Sequence, residues 1–419
     1  MRRFISLLVA IVLVMALVSM SAFAADVTYL DKTVKDGKVI TEKKTVSSAI
    51  SITVSDTQWG KENQESWYVL DSDVTLTDRP TVIGTVNIIL MNGKTLTAPM
   101  GITLGEGNTL TVFAQSDDES VMGKLVATSE DKSAAIGGVF GADGLDAVGA
   151  NKRAKDGQNC GDFNWEGGSL KVTAMNATCI GGGTGGNGAT GDGLLDEGGN
   201  GGQGGKGGTV TFLGGIADLN GLSGISAGNS GRSGSSAYAI RVTGADGAPG
   251  NEGGCLNIYA GKLTIHSSDG VCFGGGQGGH GGDLAQEANG KKGGDGGAGG
   301  TLAINGGTIS FQSDTDYCIG GGYGGPGGDG SKRVGSAGHN GTPTKITING
   351  NPSMLAGETE DTAVTVTGYN NEQFFKVEYS NAVSASSFIE TQGTVITALV
   401  IAAIGIAASV YCLKGKKEN

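Results

Sequence analysis

Histidine is nearly absent from this 419-residue chain: His266, His280 and His339 are the whole supply, and none stands in a recognisable constellation with other reactive side chains. There is no Cys-x-x-Cys pair and no Cys/His spacing suited to zinc. Hydrolysis or lysis of a polysaccharide needs two carboxylates at a set separation, or a base with a metal and a basic partner, converging in a groove. Asp71, Asp73 and Asp78 do cluster near Arg79, but each sits beside a turn, where Asp stabilises local backbone. The pattern speaks against an enzyme, and no catalytic residue is assigned. Basic charge is also scarce. Twenty-nine Lys and Arg face 41 Asp and Glu, a formal net charge of −12. Taking away Arg2 and Arg3 gives −14, and setting aside Lys414, Lys416, Lys417 and Glu418 gives −16. An acidic exterior of that size argues against nucleic acid or an anionic membrane surface as partner.

What the chain has in excess is glycine, 80 residues of it. Much of it falls in strict triplets, GGN-GGQ-GGK-GGT over 198–209 and GGD-GGA-GGT over 293–301. Glycine loses more entropy on folding than any other residue, so this use implies a backbone that only glycine adopts. A three-residue period matches a polyproline II helix, with two bare faces and one face carrying Asn200, Gln203 and Lys206. The competing reading is a flexible low-complexity segment. A longer repeat favours order. GGSLKVTAMNATCIGGG from Gly167, AGKLTIHSSDGVCFGGG from Ala260 and GGTISFQSDTDYCIGGG from Gly306 align without gaps, each with a cysteine 12 residues on. Looser copies begin at Met122 and Gly214, so the starts are 45, 47, 46 and 46 residues apart. Such periods mark solenoids and arrays, in which each unit buries its apolar face only against its neighbours.

Within a unit, an alternating strand comes first (Leu263 and Ile265; Ile309 and Phe311). A triplet tract, a polar tip, a second triplet tract and another strand come after it. The expected fold is all-β: a right-handed parallel β-solenoid with repeats of about 46 residues, bearing paired glycine-triplet arms of polyproline or polyglycine II type, plus one C-terminal transmembrane helix.

Arg2-Arg3, the apolar run after them and Ala22-Phe23-Ala24 make 1–24 a secretory signal peptide. An N-terminal β region over 25–121, glycine-rich repeats over 122–350, a closing β cap over 351–380 and a polar stalk over 381–393 are expected next. The uncharged 20-residue run 394–413 is long enough to cross a bilayer, and the lysines of the 414–419 tail place that tail in the cytoplasm. The expectation is a single-pass type I cell-membrane protein with an extracellular ectodomain. Its end resembles a Gram-positive wall-anchoring signal, but Ile389-Glu390-Thr391-Gln392-Gly393 lacks the proline of that signal, so membrane retention is expected rather than covalent wall attachment.

Cys179, Cys272 and Cys318 share one repeat position, and Cys160 and Cys255 sit at similar offsets before their strands. They make either an interior ladder of small apolar residues or disulfides, with an odd number of candidates. GGHGGD ending at Asp283 and GGPGGD ending at Asp329 match the opening of calcium-binding nonapeptides, but Ala285 and Ser331 stand where a large apolar residue is required. Triplet tracts generate such matches by chance, and no cofactor is expected.

The strand–turn run from Trp67 through TVNIILMNGKTLTA and GITLGEGNTLTVFAQ, with the recurring IGGG element, resembles secreted bacterial adhesin-like parallel β-helix proteins, some labelled carbohydrate-binding. The paired triplets are locally similar to the packed polyglycine helices of phage tail-tip adhesins. The resemblance implies a surface protein for adhesion or glycan display, binding a glycan or a ligand on a host or neighbouring cell. The alternative is a structural surface or stalk protein without a ligand, and an extracellular polysaccharide-active enzyme is a third. Candidate ligand-binding residues are Asn200, Gln203, Lys206, Gln277, His280, Asp283 and Tyr323, with the tips around Asp196-Glu197, Gln286-Glu287 and Lys332-Arg333.

Overall fold

The computed structural model describes residues 26–145, 153–191, 198–235, 245–284 and 289–379. The chain divides into two units, Met1–Glu378 and Tyr379–Asn419, and every described strand belongs to the first. The signal segment, the stalk and the 394–413 span lie outside the described residues, as do the tips around Asp196-Glu197 and Gln286-Glu287. Among the described residues no helix is long and apolar enough to cross a membrane. The only helical element among them is a single turn, Glu360–Thr362.

The structure is all-β, and most of it is one sheet of parallel strands stacked in register, compatible with the expected solenoid. Three columns of strands recur. The first, face A, contains Thr109–Ala114, Asp162–Trp165, Thr209–Phe212, Cys255–Ile258, Thr301–Ile304 and Lys345–Ile348. Face B runs from Lys124–Ser129 and the starts of Ser169–Gly181 and Ile216–Ser226 to Lys262–Ser267 and Thr308–Ser313. Face C is short: Ile136–Gly137, the ends of Ser169–Gly181 and Ile216–Ser226, then Phe273–Gly274 and Ile319–Gly320.

Register is set by the pattern of side chains. Leu125, Leu170, Ala217, Leu263 and Ile309 stand one above another, 45, 47, 46 and 46 residues apart. All are buried, and so are Phe163, Val210, Leu256 and Leu302 on face A. Sliding any strand by one residue would turn this set outward, so burial fixes the stacking. Leu96 lies under Leu125 only 29 residues away. The glycine arms are therefore insertions between faces C and A that begin at 138, once the stack is already established. From the second unit on, the A-to-B corners turn on a glycine with positive φ: Gly168 (97°), Gly215 (71°), Gly261 (90°) and Gly307 (90°).

Antiparallel elements flank the stack at its start and its end. At the start, Val27–Lys35 and Lys38–Val46 form an antiparallel hairpin whose Asp36-Gly37 turn has φ of 52° and 74°, the two positive values of a type I′ turn. Val27 and Tyr29 from the hairpin cover Val69, Ile89 and Phe113 on the outside of face A. At the other end Phe374–Glu378 pairs antiparallel with the last face-B strand, and Ser353–Gly357 pairs antiparallel with Phe374–Glu378.

Candidate functional site

Each unit sends out one arm and brings back another. The outgoing arms are 138–144, 182–191, 227–235, 275–284 and 321–331; the returning arms are 153–161, 198–208, 245–254, 289–300 and 332–344. Their backbone amides obey the triplet. The first glycine donates to the same arm one unit on: Gly185 to Asn229 O, Gly188 to Arg232 O and Gly191 to Ser235 O, each at 2.8 Å. The second donates across to an arm of the other kind: Gly199 to Ala189 O, Gly202 to Gly186 O and Gly205 to Gly183 O, again at 2.8 Å. The third amide meets a side chain from the unit before, as Gln203 N–H meets Asp156 Oδ1 and Lys206 N–H meets Asn159 Oδ1, both at 2.8 Å. Outgoing and returning arms thus form two layers, glycine face to glycine face, with side chains on the outer surfaces.

This changes the reason for the glycines. The arm glycines within the triplets are not among those with positive φ; a methyl simply has no room. A Cβ on Gly202 would lie 2.0 Å from Lys155 O, and one on Gly205 would lie 1.9 Å from Gln158 O. Close approach, rather than a backbone conformation barred to other residues, imposes the composition.

One seam interrupts the array. In the third outgoing arm the first triplet positions are Ser230 and Ser233, and in the returning arm beside it the second positions are Ala245, Ala248 and Asn251. Both facing surfaces carry side chains, so the returning arms of the second and third units cannot make their regular bonds. A serine hydroxyl is inserted into each instead. Gly201 N–H donates to Ser233 Oγ (3.2 Å), which donates to Asp246 O (2.7 Å). Gly204 N–H donates to Ser230 Oγ (3.2 Å), which donates to Pro249 O (2.7 Å). The parted arms leave an outer groove of about 420 Å³ lined by Arg153, Asn200, Gln203, Asp246 and Pro249. Asn251 Nδ2 bonding Gly204 O at 2.6 Å and the Lys206–Glu252 ion pair at 2.9 Å tie its inner end.

The sequence-predicted residues do not gather in one place. Asn200 and Gln203 line the seam groove, and their side-chain amides have no partner among the described residues. Lys206 borders it, held by Glu252. Gln277, His280, Asp283 and Tyr323 belong to the other layer. Gln277 Nε2 bonds Asp269 O, and Tyr323 Oη donates to Thr315 Oγ1 at 2.9 Å while its ring lies 4.7 Å from that of Tyr317. Asp283 accepts from Asp329 N–H at 2.8 Å and pairs with Arg232. Burial, then the Arg232 charge, lower the His280 pKa. Lys332 and Arg333 are exposed. The sequence pattern does not single out Arg153, Asp246 and Pro249, because the arms around them break the glycine triplet.

The Asp283 carboxylate is thus committed to Arg232, Ser235 and Asp329 N–H. Among the described residues no group of three or more His, Cys, Asp or Glu is placed to hold a metal ion. Cys160, Cys179, Cys255, Cys272 and Cys318 are free thiols. Cys179, Cys272 and Cys318 are buried in one face-C column, with Gly224 at the same level of the third unit. Cys160 and Cys255 are not equivalent. Cys255 stands level with Thr209, whereas Cys160 precedes the corresponding Asp162 by two residues; the first is exposed and the second buried. Burial pushes the Cys160 and Cys318 thiols up to about 12 and raises Cys179 and Cys272 as well. Such thiols carry little thiolate with which to react.

Comparison with known proteins finds no matching family model, no similar curated protein and no similar solved structure.

Proposed function

We propose that this chain is a membrane-anchored surface protein that displays a glycan-binding groove, with an adhesive role, on a right-handed parallel β-solenoid. Parallel strands joined by crossovers are almost always right-handed, which supports the handedness. The secretory start and the apolar 394–413 run with its lysine tail support the placement at the membrane.

The observation that carries the binding role is the seam groove. Elsewhere the third-position Asp and Asn side chains serve the array's own amides, but at the seam the Asn200 and Gln203 amides line the groove together with Arg153, Asp246 and Pro249. A side-chain amide offers donors and an acceptor together, which is what a sugar hydroxyl needs. Glycan-array binding by the ectodomain tests this. Retention of a glycan that weakens at least about tenfold in the Asn200→Ala, Gln203→Ala double variant, a loss of ~1.4 kcal/mol, supports the reading. No retained glycan at micromolar protein sinks it.

A structural role without a ligand is the second reading. Its support is that Asp156, Asn159, Asn229 and Asp283 each accept a backbone amide from the next unit, so most outward polar groups hold the array together.

A further inference from the structure

A second, larger recess lies on the outgoing layer. One column of third-position residues runs Phe140, Thr184, Asn229, Gln277, Tyr323, established by Gly141 N–H to Thr184 O, Gly185 to Asn229 O, Ser230 to Gln277 O and Gly278 to Tyr323 O. Beside it runs the B-to-C corner of the sheet. In the last two units the space between column and corner is filled from within. Gln277 reaches across to Asp269 O, and Tyr323 reaches Thr315. In the first three units no side chain of the column reaches across; only the main-chain amides of Phe140 and Thr184 bond the corner, at Ser133 Oγ (3.2 Å) and Lys132 O (3.1 Å). Thr184 and Asn229 are short, and Phe140, 43 % exposed, stands at the edge. The result is a groove of about 590 Å³.

Its lining is unlike that of the seam. Phe140 and Leu222 offer apolar surface, while Glu130, Asp131 and Asp143 outnumber Lys132 in charge. Asp131 and Asp143 are already bonded, to Ser133 N–H and to Asn187 N–H. The Glu130 carboxylate has no partner among the described residues; only its main-chain carbonyl is used, by Asn176 Nδ2 at 2.8 Å. An aromatic ring, an available carboxylate and an excess of negative charge match a pyranose that carries a free ammonium. The ring takes the apolar face of the sugar, and the carboxylates take the charge.

We propose that this groove binds amino-sugar residues of a cationic glycan, independently of the seam groove. The site is tested by calorimetric titration of the full chain in detergent with a fully deacetylated glucosamine hexamer and its N-acetylated counterpart. The expected result is binding of the deacetylated hexamer, at least tenfold weaker binding of the acetylated one, and weakening as salt is raised. Phe140→Ala and Glu130→Gln each reduce the affinity at least tenfold. Thr184→Tyr, which supplies the plug that Tyr323 supplies in the last unit, abolishes binding; its own amide bond to Lys132 O is main-chain and survives. The Asn200→Ala, Gln203→Ala variant titrates like the parent, so loss of the seam reading leaves this one standing. Absence of binding, equal binding of the two hexamers, or unchanged binding by Thr184→Tyr with an unaltered circular dichroism spectrum overturns the proposal.

Discussion

Gly202 and Ala337 occupy the two kinds of arm position, and their difference explains where the triplet rule holds. Gly202 is covered by the returning arm of the unit before, with Lys155 O where a methyl would go. Ala337, like Val334, Asn340 and Pro343, lies on the last returning arm, whose outer side has no further arm over it, and all four are exposed. Gly202→Ala is therefore predicted to cost about 2 kcal/mol or more, the scale of an overpacked core. Ala337→Ser is predicted to stay within ~0.5 kcal/mol of the parent. Chemical-denaturation curves of the two variants check the contrast; equal losses would contradict it.

Glu166 makes a residue-scale prediction about pH. Its carboxylate is buried under the N-terminal hairpin, accepts Lys32 N–H at 2.7 Å, and is pushed by burial up to about 7. In the unfolded chain it titrates near the ordinary carboxylate value, so between that value and about 7 the folded state holds the extra proton. Stability from this group is thus greatest in acid and falls as pH rises to about 7. Glu166→Gln keeps the acceptor and removes the titration. It is expected to be the more stable protein at pH 8 and to match the parent near pH 4. Melting temperatures across that range decide it, and parallel curves would count against the assignment.

At the scale of elements, the seam depends on two hydroxyls. Ser230→Ala and Ser233→Ala each strand a backbone N–H and a carbonyl, at a cost of about 1–3 kcal/mol for groups left unpaired in the interior. Amide exchange at Gly201 and Gly204 should quicken in the matching variant and nowhere on the face-A strands. How legible these elements are in the sequence depends on what each one is made from. The strands can be read because alternation of Leu263 with Ile265, or Ile309 with Phe311, is a local signal. The period can be read because the cysteine keeps its offset. The seam cannot, since Ser230 and Ala248 acquire meaning only when it is known which arms lie side by side. For the same reason Gln277 and Tyr323 have the character of ligand contacts in the sequence, although in the folded chain they fill space between an arm and the sheet corner. Phe140 carries no sequence signal because it precedes the first regular triplet.

At the scale of the molecule, a parallel stack has two exposed edges, and unpaired edges invite association. The hairpin at 27–46 lies over the first strands, and the antiparallel strand Phe374–Glu378 closes the last one on face B, burying Phe375 and Val377. Removing 353–378 bares the Thr308–Ser313 edge and is predicted to turn a monodisperse protein into concentration-dependent aggregates by light scattering. A truncated chain that stays monodisperse would show that the cap serves another end.

The central claim is that the glycine arms are a hydrogen-bonded two-layer array. Hydrogen–deuterium exchange of the arm peptides 275–283 and 293–298, in which both glycines of every triplet are bonded, tests it most directly. The account predicts two protected amides in each triplet, those of the paired glycines, exchanging as slowly as the face-A strands. Exchange at the rate of an unstructured peptide across both segments would contradict it.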